Sequence, residues 1–363
     1  MTARRAAFAA IAAVAVAACS PPKLRTVNND LARYYHDPVS YYHGAASRGE
    51  IIGVMRVLEE RIVAVNVKDA YGWTACHYAA RGGCENLIEY LILKGADVNV
   101  RDNAGKSPLL VAVESGYSHT AGYLLSRGAD PNVKTGEGIS PLMTAAAAGN
   151  EAMVTMLVAR GARVNERDSC GEGALAYALR SRYFSCAKLL LAKGADPDLH
   201  CENEPPLLVG ALSQGYVEFA GDLIRSGADP NVRDVDGTPA LHRAVDYRDP
   251  DLLRMMAHRG ADMSIGDREG GTPLHHAIRN RHLDLVPLLS GLGSDPNRKD
   301  GRGLTPLMEA ARNGYRETVI FLLEHGANPS LRDREGKSAA SMARENRYDD
   351  IAAIIERPRE TGR

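Results

Sequence analysis

GADVNV at 95–100 returns as GADPNV at 128–133 and 227–232, GARVNE at 161–166, GADPDL at 194–199, GADMSI at 260–265, GSDPNR at 293–298 and GANPSL at 326–331. Consecutive copies begin 33 residues apart. A chain of 363 residues would on length alone be divided into two or three domains. A fixed period of this size predicts instead a stack of small units, each burying its apolar face on the next.

Other columns keep the register. Alanine stands at 46, 79, 112, 145, 178, 211, 244, 277, 310 and 343. Leu91, Leu124, Leu157, Leu190, Leu223, Met256, Leu289 and Leu322 fill an apolar slot. Glycine stands at 72, 105, 138, 171, 237, 270, 303 and 336, and the column fails at Glu204. The alanine marks a place where two helices approach too closely for a larger side chain. Gly95 follows the apolar run Leu87–Ile92 and reads as a left-handed helix cap. Gly72, just after Asp69, reads as a hairpin turn. Pro108, Pro141, Pro273 and Pro306 fall where a helix begins, a position that needs no N–H. Each unit is therefore expected to hold a hairpin turn, a short helix (about 75–82), a turn, a second helix (about 85–94) and a loop. Pro287 falls inside a second helix and is expected to kink it.

The unit 267–299, with Gly271-Thr272-Pro273-Leu274-His275, resembles an ankyrin repeat. The resemblance runs over about 36–356 and implies an all-α repeat solenoid, a single elongated curved stack of helix-turn-helix units with β-hairpin loops. An N-terminal cap is expected at 36–66, eight repeats at 69–332, a C-terminal cap at 333–356 and a polar tail at 357–363. End units need a wettable outer face, and Ala343-Arg344-Glu345-Asn346-Arg347 supplies one. Asp37-Pro38 reads as a helix cap followed by proline at the first helical position. The units at 168–200 and 201–233 depart from the pattern, so the middle of the array is expected to be its softest part.

The first residues carry a different signal. Arg4 and Arg5 precede thirteen apolar residues, Ala6–Ala18, too short a run to span a bilayer. Val16-Ala17-Ala18-Cys19 resembles a bacterial lipobox. That implies a cleaved lipoprotein signal peptide at 1–18, lipidation of Cys19, and a tether at 19–35 reaching about 25 Å as a flexible coil. Ser20 after the cysteine favours the outer membrane over the inner one, so a periplasm-facing, lipid-anchored protein is expected. Several acyl chains on one residue give stable anchoring where one is marginal.

The composition, 45% hydrophobic and 25% charged, is that of a globular chain. A formal net charge of −1 gives no overall pull toward nucleic acid. Gly105-Lys106-Ser107 lacks the upstream glycine of a phosphate loop, since Val100 stands there. His77, His242 and His275 share one slot, and the resemblance implies that they bond neighbouring hairpins rather than a metal. With no HExxH, CxxC or GxSxG present, no catalytic residue, metal, cofactor or small-molecule substrate is expected. After Cys19, an odd five cysteines remain, at 76, 84, 170, 186 and 201. Cys170 and Cys201 lie in consecutive hairpins and are the candidate disulfide, although their slots differ by two positions.

The resemblance implies a groove lined by hairpin tips and the exposed side of the first helices. Carried over by position, it takes in Tyr71, Trp73 and Lys106 at the tips. On the helices it takes in Tyr78, Arg81, Tyr177, Arg180, Arg243, Tyr247, His276, Arg279 and Arg312. Trp, Tyr and Arg dominate interface energetics. Against this, Glu114, Asp246 and Glu309 stand ready to balance the cations, and Trp73 has the next hairpin to pack on. The leading expectation is a non-enzymatic scaffold binding a protein partner of unknown identity. An immunity protein neutralising a periplasm-acting toxin is the alternative, separated by whether deletion sensitises cells to sibling attack. A hydrolase using His276 is the third class.

Overall fold

A computed structural model describes residues 37–202 and 204–357; the expected signal peptide, Cys19, the expected tether and positions 358–363 of the tail lie outside the described residues. Among the described residues, twenty α-helices form ten pairs, in two compact units divided in the chain between Ala195 and Asp196. The chain is an all-α repeat solenoid.

The first unit holds α1 (Pro38–Ser47), α2 (Ile51–Glu59), α3 (Ala75–Arg81), α4 (Glu85–Leu93), α5 (Pro108–Glu114), α6 (Ser118–Ser126), α7 (Pro141–Ala147), α8 (Glu151–Ala159), α9 (Ala174–Arg180) and α10 (Phe184–Ala192). The second holds α11 (Leu207–Ser213), α12 (Val217–Arg225), α13 (Ala240–Asp246), α14 (Pro250–His258), α15 (Pro273–Arg279), α16 (Val286–Gly291), α17 (Pro306–Arg312), α18 (Arg316–Glu324), α19 (Ala339–Glu345) and α20 (Asp349–Glu356). Helices this short are marginal alone, because nucleation costs more than a turn or two returns. They persist because each inner helix packs on the next: α3 on α5, α5 on α7, α7 on α9, and likewise α13 on α15 and α15 on α17. All ten periodic alanines are buried there, and the Leu91 column is buried between outer and inner helices.

The caps follow the sequence. Asp37 Oδ1 accepts the Ser40 N–H at 3.0 Å, with Pro38 at the start of α1. Ser107, Ser140 and Thr305 accept the N–H three residues on, whereas α9 and α11 begin after Gly173 and Pro206 without a side-chain cap. Two expectations need correction. The hairpin loops form no strands among the described residues, only isolated bridges Arg233–Pro239 and Arg332–Ser338; most of the turns are held by aspartate side chains instead. Pro287 does not kink a continuous helix. A 3₁₀ turn at Leu283–Leu285 precedes it, and α16 starts afresh at Val286, which puts Pro287 where its missing N–H costs little.

Side-chain ladders join successive repeats. Asn99 gives Nδ2–H to Gly128 O at 3.0 Å and takes the Asp130 N–H at 2.8 Å; Asn132 in the first unit and Asn231 and Asn297 in the second do the same. Asp198 holds this slot with a carboxylate. It accepts the Asp229 N–H on both oxygens at 3.2 Å but has no N–H for Gly227 O. Burial, with Asp196 and Asp229 close by, raises its pKa. An acid raised on folding adds stability below its unfolded pKa and loses it as pH climbs through the folded value. Asp198→Asn is therefore expected to stabilise the second unit by about 1 kcal/mol at neutral pH. It should also remove the fall in stability just above the ordinary aspartate pKa. Urea melts across that window check it; equal slopes for the two proteins would refute the reading.

Candidate interaction surface

Most hairpin turns are built on one aspartate; Thr135 and Cys201 hold that slot in two of them. Asp69 Oδ1 accepts the N–H groups of Tyr71 and Trp73, both at 2.8 Å, and Oδ2 accepts the Tyr78 hydroxyl at 2.6 Å. Against the opposing effect of burial, these bonds hold the Asp69 carboxyl below the usual range. Burial and the same bond push the Tyr78 phenol up to about 12. Trp73 Nε1 donates to Asp102 Oδ2 of the next turn at 2.8 Å, so the indole does pack on its neighbouring hairpin. Its ring stacks on His77 and meets the edge of Tyr78 at 5.0 Å, with the Arg81 guanidinium 5.7 Å from its centroid. Tyr78 in turn touches His43 of α1. Tyr71 stands at the tip, 74% exposed. Four of the sequence candidates thus converge: Tyr71, Trp73, Tyr78 and Arg81 make one aromatic and cationic patch.

The remaining candidates are held by the fold. Lys106 pairs with Glu114 at 2.9 Å. In the hairpin at 168, the buried Tyr177 donates to Asp168 Oδ2 at 2.8 Å and Arg180 pairs with the buried Glu172. In the second unit, Arg243 pairs with Asp234, and the Tyr247 hydroxyl donates to Leu212 O. His276 Nε2 lies 2.8 Å from Asp246 Oδ1, and His282 Nε2 lies 3.7 Å from the same oxygen. Against burial, the His276 contact holds Asp246 below the ordinary carboxylate range.

Arg279 is the furthest from a free groove cation. Its guanidinium contacts Asp300 and reaches Glu309 at 3.4 Å and Glu269 at 3.8 Å. Arg312 approaches Glu309 at 3.3 Å, and Arg302 lies between Asp300 at 3.4 Å and Glu309 at 3.7 Å. The two acids are 0% and 2% exposed. Glu309 had stood as a balancing charge in the sequence; the role of Asp300 was hidden, although it occupies the turn slot of Asp69 at seven periods' distance.

The histidine column is structural. His77 Nδ1 accepts the Thr74 N–H at 3.1 Å, so Nε2 carries the proton it donates to Lys106 O at 3.0 Å. His275 repeats this between Thr272 and Leu304. His242 keeps the second bond, to Gly271 O at 2.7 Å, but Pro239 has no N–H for its Nδ1, which is left unpartnered. Burial lowers His242 to about 4, so the ring is neutral at neutral pH. Among the described residues, no group of three ligating side chains could hold a metal ion, and no helix is long and apolar enough to cross a membrane. Cys76 and Cys186 are buried free thiols, and burial pushes Cys76 up to about 12.

A family model described as ankyrin repeats in three copies matches residues 42–135, 109–201 and 208–300. A second model, of many copies, matches 289–343. No curated protein matches the chain.

Proposed function

The chain belongs to the ankyrin-repeat family, and on that premise we propose that it is a non-enzymatic scaffold that binds a protein partner through its hairpin tips and inner helices. The observation that carries this reading is the division of polar groups. Histidines, asparagines and turn aspartates are occupied in joining repeats. Tyr71 is left projecting beside Trp73, Tyr78 and Arg81. Aromatic and arginine side chains of this kind anchor interfaces. The apolar run and lipobox ending at Cys19 support a periplasm-facing protein anchored by lipid to the outer membrane.

The test places a photo-crosslinking residue at Ala104, exposed in the tip whose Asn103 N–H bonds Tyr71 O. In intact envelopes a discrete cross-linked protein is expected. Tyr71→Ala with Arg81→Glu should weaken its capture roughly tenfold. Capture that ignores both changes would remove the patch from the interface. Cys19→Ser should abolish the lipid mass and move the protein to the soluble fraction; an unchanged mass and membrane fraction would end the anchoring proposal.

A further inference from the structure

The second unit carries a depression of about 380 Å³ between the turns at 300–305 and 333–338. Its walls include Arg302, Arg312 and Arg334, and Leu304 and Met342 close its floor. We infer that this depression docks an acidic segment of the protein partner, a carboxylate entering among the three arginines and a neighbouring apolar side chain resting on Leu304 and Met342. The inference rests on the scaffold reading above and supplies the chemistry of its partner.

The arginines are pre-organised from beneath. Arg302 is fixed by long contacts to the buried Asp300 and Glu309, and Arg312 by Glu309 at 3.3 Å. Each guanidinium has five N–H donors in a planar fork, so one such contact leaves others unmet. Arg334 is exposed and has no carboxylate partner among the described residues. The acids of the rim are already engaged. Asp333 accepts the N–H groups of Glu335 and Lys337, and Lys337 pairs with Glu345 at 2.8 Å and Glu335 at 3.4 Å. An incoming ligand therefore meets guanidinium donors from Arg302, Arg312 and Arg334, with Glu335 and Glu345 drawn to Lys337 on the opposite rim. Such forks match a carboxylate bidentately. The volume lies within the ~300–1,000 Å³ of ordinary ligand pockets. A bare phosphate would satisfy the donors and leave the apolar floor wet, whereas a peptide covers both.

The experiment uses the full chain and two labelled peptides, acetyl-Leu-Asp-Glu-Leu-amide and acetyl-Leu-Asn-Gln-Leu-amide, read by fluorescence anisotropy. The acidic peptide is expected to bind about tenfold more tightly, and to weaken as salt rises from about 50 to about 300 mM. Arg334→Glu, with an unchanged melting curve, should cost it a further tenfold or so. Arg56→Glu, an equal charge change on the exposed face of α2, should cost nothing. Equal binding of the two peptides, no binding of either, or indifference to Arg334→Glu would overturn the inference. Inorganic phosphate displacing the peptide at equal affinity would overturn it too, by showing a general anion site. Failure here with the Ala104 cross-link intact would sink only the acidic-segment assignment; loss of the cross-link with peptide binding intact would sink the aromatic patch.

Discussion

Gly138→Ala is expected to destabilise the first unit by about 3 kcal/mol, and Gly161→Ala by only about 1 kcal/mol. Both glycines have a left-handed backbone, at φ +81° and +88°. An L side chain there costs ~1–2 kcal/mol at either site. The surroundings differ. A Cβ on Gly161 meets nothing within 4 Å, whereas a Cβ on Gly138 falls 2.8 Å from Ser169 N and 2.9 Å from Asp168 Cα. Those atoms are backbone of the next hairpin and cannot swing aside. Relief has to come from separating the turns, which strains the Ser169 N–H bond to Glu137 O, at 2.9 Å. Overpacking of that kind adds roughly 1–3 kcal/mol. Since stability in a repeat array is a sum of unit and interface terms, the loss at 138 should also broaden the denaturant transition. Urea melts followed by circular dichroism measure both. Equal losses at the two sites would mean that the turn glycines serve backbone conformation alone and that the hairpins do not bear on one another.

The contrast shows what a period can and cannot disclose. Spacing alone placed a helix at 75–82 and its partner at 85–94, and the observed limits are Ala75–Arg81 and Glu85–Leu93. It could do so because the caps and turns that bound each helix act within one repeat. Rotamers and partners across units were not legible to the same degree. Arg279 occupies an inner-helix slot that faces the groove, yet its side chain turns to Asp300 and Glu309, which are 21 and 30 residues away in sequence and adjacent only through stacking. Trp73 was legible as an anchor or as packing, and its indole makes a packing bond while its neighbour Tyr71 stays exposed. Pro287 misled for a related reason. A missing N–H says that an α-helical bond is absent, but not whether the chain bends or restarts; here it restarts after a 3₁₀ turn.

Arg279→Met is expected to cost the second unit about 3 kcal/mol at neutral pH, the lower end of what breaking a buried ion pair removes. Methionine keeps much of the aliphatic volume but leaves Asp300 without its closest cation. The lower end applies because Arg302 still reaches Asp300 and Glu309, and because Arg279 is 19% exposed. Arg312→Met, at a guanidinium 39% exposed with a single contact at 3.3 Å, should cost no more than about 1 kcal/mol. The pH dependence separates charge from packing. Against burial, the N–H groups of Leu304 and Arg302 and the charge of Arg279 hold the Asp300 carboxyl below its ordinary pKa. An acid lowered on folding contributes stability above its unfolded pKa and loses it as pH falls through the folded value. Without Arg279 that depression shrinks, so the variant loses less stability on acidification and its loss is complete at a higher pH. Below the folded value of both proteins Asp300 is protonated, and the gap between them should narrow. Salt should change the gap little, because buried pairs are poorly screened. A gap that stays constant from neutral pH to below the aspartate range would show that Arg279 acts through its packing alone.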